Sequence, residues 1–320
     1  MKLLYILISS TKDCYYEQAL LSVMSAKCRM PSIPVSLLVD DETARSFVGE
    51  RKEITEIVDE IIVENIDSSL NELARSRFLK TNMRKKVSGD FLYVDVDTLW
   101  VNSVDENDFS GLIMAVPDGH SRFSEYEAYN GHVEIAKKIG LYCDYDYYFN
   151  SGCMFVRDNP FVYDFFEKWF LYWKQSSKQG VFSDQYSLNY VNYQERQFIK
   201  RLPDCYNVQI SFSIRYLLNA KLIHYFSSHF SNRKDCFCIL QKESFWLSMK
   251  NNLNAKKSCL SIINAPEEIF LNYPLVSDSR YVNFRRNPVF GLLCDIIESK
   301  RKISVVLLTL LNFFARWVAK

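Results

Sequence analysis

The sequence predicts an α/β fold in which a mixed, mostly parallel sheet is flanked by helices. Three observations predict it. Short apolar runs alternate with helical patterns, several of those runs stop at a polar residue, and glycine and proline are scarce in a chain rich in apolar side chains. Leu3 to Ile8 is a short apolar run with β propensity, too brief for the apolar stretch of a signal peptide, and is expected as a first buried strand. Glu17 to Ala26 places Leu20, Leu21 and Met24 on one helical face. Val35 to Val39 repeats the pattern, with Asp40-Asp41 at its end and a helix expected over Glu42 to Val48. Glu56 to Glu64 reads as a further strand, Ser69 to Val87 as a basic helix, and Phe91 to Val94 and Gly111 to Val116 as strands. Cys153 to Val156 is another strand, Phe161 to Trp173 a helix, and Ile214 to His224 the last element of this body. Ligands gather at the carboxyl ends of strands in such sheets, and Ser9, Asp40, Asp95 and Asp118 each stand there.

With 48% hydrophobic residues and only 9 Gly and 8 Pro in 320 residues, an ordered chain with a sizeable core is expected. A catalytic domain is expected over residues 1–235, a smaller helical extension over 236–299, and a tail over 300–320. Nine cysteines without a repeated pair spacing suit reduced thiols, and the four histidines show no zinc-ligand spacing. The net charge of +1 hides an imbalance: residues 280–320 hold 8 basic and 2 acidic side chains. Ile303 to Val318 is the most apolar segment, yet it is shorter than a bilayer span and contains Asn312 and Arg316. An in-plane helix on an anionic membrane surface, with Phe313, Phe314 and Trp317 in the interface, is therefore expected rather than nucleic-acid binding. A helix docked on the protein's own core is the alternative.

Asp95 and Asp97 follow four apolar residues. Side chains two apart on a strand point the same way, so both carboxylates can reach one site. Paired oxygen donors suit Mg²⁺ or Mn²⁺, whose shell is completed by water and substrate phosphates. An Asp-x-Asp by itself is weak, its position after four apolar residues strengthens it, and a solvated strand end is the lesser alternative.

Five ordered segments add to it: Phe91-Leu92-Tyr93-Val94-Asp95-Val96-Asp97-Thr98-Leu99, Tyr148-Phe149-Asn150-Ser151-Gly152, Ser183-Asp184-Gln185-Tyr186-Ser187-Leu188-Asn189, Leu202-Pro203-Asp204-Cys205-Tyr206-Asn207 and Ile223-His224-Tyr225-Phe226-Ser227. In this order they resemble glycosyltransferase family 8, the retaining GT-A group that includes glycogenin and lipopolysaccharide galactosyl- and glucosyltransferases, over about residues 1 to 230. The resemblance implies a retaining transfer of a hexose from a nucleotide diphosphate sugar, a UDP-sugar by family habit, to a glycan or glycolipid such as lipopolysaccharide or capsule.

It also implies that Asp95, Asp97 and His224 hold Mn²⁺ or Mg²⁺. His224 on residue type alone reads as a packed core histidine, and His229 is its rival. Asn150, Gly152, Asp118 and Lys80 would contact the donor sugar, Lys80 standing near the place where the family carries an arginine. Asp184 and Gln185 would lie beside the anomeric carbon. Ser9, Thr11, Tyr15, Asp40, Asp95 and Val96 would serve the nucleotide. Each has a plainer reading: a turn at Asn150, a solvated helix face at Lys80, a helix start capped by Ser183 at Asp184. The location implied is cytoplasmic, on the inner face of the cell membrane. Two other classes share the motif or fold: haloacid-dehalogenase-type phosphatases, whose pattern wants Thr or Val where Leu99 stands, and non-catalytic carbohydrate-binding proteins.

Overall fold

A computed structural model describes residues 1–67, 69–125, 129–227, 238–251, 255–270 and 309. Met1–Leu271 forms one compact unit and Asn272–Lys320 a second. The expected membrane-binding tail, apart from residue 309, and the rival His229 lie outside the described residues. Among the described residues no helix is long and apolar enough to cross a membrane, and Cys14, Cys28, Cys143, Cys153, Cys205 and Cys259 are free thiols.

In chain order the elements are β1 (Lys2–Leu7), α1 (Tyr15–Arg29), β2 (Val35–Asp40), α2 (Asp41–Arg45), α3 (Glu53–Ile57), β3 (Glu60–Glu64), α4 (Glu72–Lys86), β4 (Phe91–Val94), β5 (Thr98–Trp100) and β6 (Ile113–Pro117). They continue with α5 (Tyr129–Lys138), β7 (Phe149–Val156), α6 (Pro160–Ser177), α7 (Gln185–Gln194), β8 (Ile199–Arg201), β9 (Val208–Gln209), β10 (Leu222–His224), α8 (Glu243–Lys250) and α9 (Ala255–Asn264). The seven-stranded sheet runs β3-β2-β1-β4-β7-β6-β8, and a three-stranded sheet runs β5-β10-β9. In the seven-stranded sheet the pairs are parallel except at β7, which is antiparallel to both neighbours, and in the small sheet β10 is antiparallel to β5 and parallel to β9. The mixed, mostly parallel sheet flanked by helices is thus the fold the sequence predicts.

The continuous apolar runs follow from burial on both faces. Leu3, Tyr5 and Leu7 enter one core with α1, while Leu4, Ile6 and Ile8 enter the other, against Leu79 and Met83 of α4 and Phe165 and Trp169 of α6. Three expected elements differ. The run expected as one strand over 56–64 splits into α3 and β3, because Val58-Asp59 turns out of the helix and Asp59 accepts from Val35 N. The helix expected over 42–48 stops at Arg45. Ile214 to His224 is a turn, a 3-10 segment at Leu217–Asn219 and β10, not one element.

Beyond β10, Trp246 stacks on Tyr225 with centroids 5.8 Å apart, and α8 and α9 lie against α1. Between β6 and β7 the chain makes a long excursion whose two ends meet: Asp118 N donates to Tyr148 O at 2.7 Å, and Pro117 pairs with Phe149. Phe123, Ala136, Ile139, Leu141, Tyr145 and Tyr148, with Tyr186 of α7, give this excursion a small core of its own.

Candidate active site

Sheet direction brings the chemistry to one edge. The carboxyl ends of β1, β2, β4 and β6 all finish there, and because β7 runs the other way its first residues begin there. Asp95, Asp118 and Asn150 are therefore neighbours although they are far apart in sequence.

Asp95 directly follows the end of β4, with Asp97 two residues on. They occupy the bend between β4 and β5, and Val96 between them packs against the core. Register supplies the third member. His224 of β10 pairs with Thr98 of β5, and Tyr225 N donates to Asp97 O, so the imidazole comes to the carboxylates. One ligand atom from each of Asp95, Asp97 and His224 lies within 4.8 Å of the others.

The ring is oriented from behind. His224 Nδ1 lies 2.9 Å from Asn207 Oδ1, whereas Nε2 faces Asp97 Oδ1 at 3.2 Å. Asn207 Nδ2 donates to Asn150 Oδ1, so its amide is fixed with oxygen toward the imidazole and Nδ1 carries the proton. Nε2 is then the nitrogen available to a cation. Phe226, at φ 53, stacks on His224 with ring centroids 4.0 Å apart. This left-handed residue turns the chain so that Ser227 N and Oγ both reach Asp97 Oδ2, at 2.9 and 3.3 Å. Burial would raise the Asp97 pKa, but His224 and the Ser227 N–H outweigh it and hold the carboxyl well below its usual range. Burial would lower the His224 pKa, and the Asp97 and Asp95 charges outweigh that, so the imidazole is raised. Two carboxylates and an imidazole whose Nε2 faces them form a donor set that fits Mn²⁺ or Mg²⁺.

Gly152 is the floor between the two halves. Its carbonyl accepts from Asp95 N at 2.7 Å and its N–H donates to Asn150 Oδ1 at 2.8 Å. A Cβ there would lie 2.5 Å from His224 Cε1, 2.8 Å from Asp95 Oδ2 and 2.9 Å from Asn150 Oδ1. The glycine is required for space, not for its backbone angles.

The second half is an amide network. Asn150 Nδ2 donates to Asp118 Oδ1 at 2.9 Å, and Gln185 Nε2 donates to Asp118 Oδ2 at 3.1 Å. Asn189 clamps Phe149 by both its amide groups and bonds Gln185 O, tying β7 to α7. Asp184 is not an exposed cap. It is 2% exposed, caps nothing with its side chain, and pairs instead with Arg77, Nε to Oδ1 2.9 Å, while Lys80 Nζ lies 3.7 Å from Oδ2. Burial would raise the Asp184 pKa, but the two cations and Ser151 hold it below the usual range. Lys80 is likewise no solvated side chain, being 1% exposed with Nζ 3.0 Å from Asp95 Oδ1.

The nucleotide residues expected at the first loop are placed less openly. Ser9 spends its hydroxyl on Asp13 and Arg51, and its N–H on Thr43 Oγ1. Asp40 is fully buried, capping α2 through Thr43 N and pairing with Arg75 at 2.5 Å, so it supports the Ser9 loop through Thr43. Thr11 is exposed, and Tyr15, 39% exposed, lies within electrostatic reach of Asp97 and Arg77. Arg77, Asn189, Asn207 and Ser227 are the site residues that the sequence did not assign. Arg77, Lys80 and Arg84, at i, i+3 and i+7, were a readable signal, since that spacing puts three cations on one face of a helix.

Residues 75–257, more than half of the chain, match the family described as nucleotide-diphospho-sugar transferase. No curated protein matches. Among solved structures, galactosyltransferase LgtC in complex with donor and acceptor sugar analogues is 13% identical. That likeness spans 88% of this chain and 99% of LgtC, with a TM-score of 0.52. An active-site glutamine-to-glutamate mutant of LgtC is 14% identical over 86% of this chain and 98% of its own, with a TM-score of 0.50. The apo-form glycosyltransferase GlyE of Streptococcus pneumoniae TIGR4 is 15% identical over 85% of this chain and 65% of its own, at 0.50. At such identities these structures share the GT-A-like fold. The family match sets aside the phosphatase and the non-catalytic alternatives: this chain belongs to the nucleotide-diphospho-sugar transferases and is a glycosyltransferase.

Proposed function

We propose that the chain is a divalent-metal-dependent retaining hexosyltransferase of glycosyltransferase family 8, using a UDP-sugar and acting on a glycan or glycolipid acceptor such as lipopolysaccharide or capsule. The observation that carries this reading is the convergence of Asp95, Asp97 and His224 within 4.8 Å beside the Asp118–Asn150–Gln185 network. Asp95, Asp97 and His224 Nε2 would hold Mn²⁺ or Mg²⁺. When bound, the ion neutralises charge on the departing diphosphate. Asp118 and Asn150 would bind sugar hydroxyls, with Lys80 and Gly152 at the boundary with the diphosphate. The nucleoside would lie at the Ser9, Thr11, Tyr15 loop, with Asp40 supporting it from below and Val96 beside it.

Retention is assigned to front-face attack by the acceptor hydroxyl, its proton passing to the leaving phosphate. Asp184 supports this route, because it is buried, held by Arg77 and set beside Lys80, a carboxylate occupied as a counter-ion rather than free as a nucleophile. Gln185 then stabilises positive charge developing at the anomeric carbon. The basic segment near residue 300 would hold the enzyme on the cytoplasmic face of a membrane, where a lipid-linked acceptor is found.

The test is nucleotide release from a panel of nucleotide sugars with Mn²⁺, with and without chelator. Release that chelator abolishes is expected. Turnover indifferent to chelator would remove the metal, and no binding or turnover of any donor would remove the transferase reading. Deleting residues 300–320 should reduce co-sedimentation with anionic liposomes, and unchanged co-sedimentation would sink the membrane assignment.

A further inference from the structure

Lys80 is a third cation-bearing group inside a site that the preceding reading gives to a divalent ion. Its ammonium lies 3.0 Å from Asp95 Oδ1 and 3.4 Å from Oδ2, so it sits astride both oxygens of one carboxylate. It also lies 3.7 Å from Asp184 Oδ2 and 4.9 Å from the centre of the Tyr93 ring. Asp184 has a second partner in Arg77. Among the described residues Asp95 forms its salt bridge with Lys80 alone, supplemented by the Tyr93 hydroxyl.

A buried ammonium keeps its charge only if an anion faces it, because water cannot replace a lost partner there. Lys80 is 1% exposed, and its ammonium is held mainly by Asp95, at 3.0 Å, with Asp184 Oδ2 a more distant second anion at 3.7 Å. A divalent ion entering alone must share that carboxylate with a positive charge already seated on it. A diphosphate changes the balance, since its oxygens can take the ammonium and leave Asp95 to the ion.

We propose that Lys80 is a resident counter-ion of Asp95 that competes with the divalent ion for this carboxylate, so that the ion binds weakly until the donor's diphosphate draws the ammonium away. Lys80 is a positioning residue in this scheme, and the scheme rests on the metal-dependent reading above. It makes metal and diphosphate binding mutually reinforcing, and linkage requires the reinforcement to be the same in both directions.

The experiment measures Mn²⁺ affinity of the full chain by electron paramagnetic resonance of the free aqueous ion, without nucleotide and with UDP. Lys80→Met keeps the apolar stem without the charge, and Lys80→Gln keeps a polar head. Both variants should bind Mn²⁺ alone about tenfold more tightly than the wild type, on the strength of a unit charge removed from a few ångströms away in a partly desolvated site. The gain in Mn²⁺ affinity on adding UDP should shrink by a similar factor. Equal or weaker Mn²⁺ binding by both variants overturns the proposal. So does a wild type whose Mn²⁺ affinity is the same with and without UDP, a result that needs no variant to fold. Mn²⁺ bound by no form of the protein, with or without UDP, overturns the metal-dependent reading as well, whereas Mn²⁺ binding indifferent to Lys80 overturns this inference alone.

Discussion

The two halves of the site are built by different physics. On one side stand Asp95, Asp97, Asp184, His224, Lys80 and Arg77, where position is set by charge balance. On the other stand Asp118, Asn150, Gln185 and Asn189, where position is set by directional hydrogen bonds between amides and one carboxylate. The charged half tolerates small displacements and is sensitive to the loss of any one charge. The amide half is the reverse, because a hydrogen bond weakens steeply with angle. Gly152 and Asn207 are the two points where they join: one gives the space, the other carries orientation from Asn150 to His224.

Five substitutions separate these behaviours. Asp97→Asn removes a charge from the first half and should lower metal-dependent turnover by about 1,000-fold or more, with Mn²⁺ affinity lost and the melting temperature little changed. Unchanged Mn²⁺ affinity would take Asp97 out of the site. Gly152→Ala forces a methyl against both halves and should cost about 100-fold in kcat/KM, through both metal and donor affinity. A loss confined to one of these would show that the halves are independent.

Asn207→Leu leaves every residue of both halves in place and cuts only the connection. About 10-fold weaker Mn²⁺ binding is expected in the donor-free protein, the usual scale for losing an outer hydrogen bond to a metal-binding histidine. Normal Mn²⁺ affinity would mean that the ring is held by Phe226 alone. Asn189→Ala should act on the amide half instead, raising the KM for the donor severalfold with Mn²⁺ affinity preserved.

Arg77→Met tests charge balance through pH. The Asp184 pKa is depressed in the folded protein, so its stabilisation is present above the unfolded value near 3.8 and disappears as pH falls through the folded value. Removing Arg77 should therefore cost about 2 kcal/mol near pH 7, with Lys80 still in place, and progressively less below about pH 4. Thermal melts of both proteins at the two pH values check it, and a pH-independent difference would assign Arg77 a packing role.

What could be read from the sequence divides along the same line. Asp95 and Asp97 were legible because they follow an apolar run, at the end of a strand, whereas Asn150 was legible only through the ordered series of motifs. His224 was legible as part of an ordered series of motifs, but its approach to Asp97 was not. That approach depends on β5 and β10, three residues each, and on a register that no periodicity announces. Arg77 was readable by its spacing with Lys80 and Arg84 but was passed over, because a basic helix ordinarily faces water. In α4 that expectation fails because the cations of one face meet acids and carbonyls: Arg77 meets Asp184, Lys80 meets Asp95, and Arg84 donates to the carbonyl of Gly89. Asn189 and Asn207 stood in recognised segments without a role, since the atoms they orient come from elsewhere in the chain.

The excursion between β6 and β7 is clipped at both ends, by Asp118 N to Tyr148 O and by the Pro117–Phe149 pair, and is filled by its own aromatic cluster. Its ends are thus fixed independently of its length, and its cluster docks on α7 through Tyr186. Loop-closure entropy grows only slowly with length, so this insert can lengthen, shorten or change its surface while its fixed ends keep Asp118 and Asn150 in register. A lineage could change what is read at the rim without rebuilding the chemistry at the base.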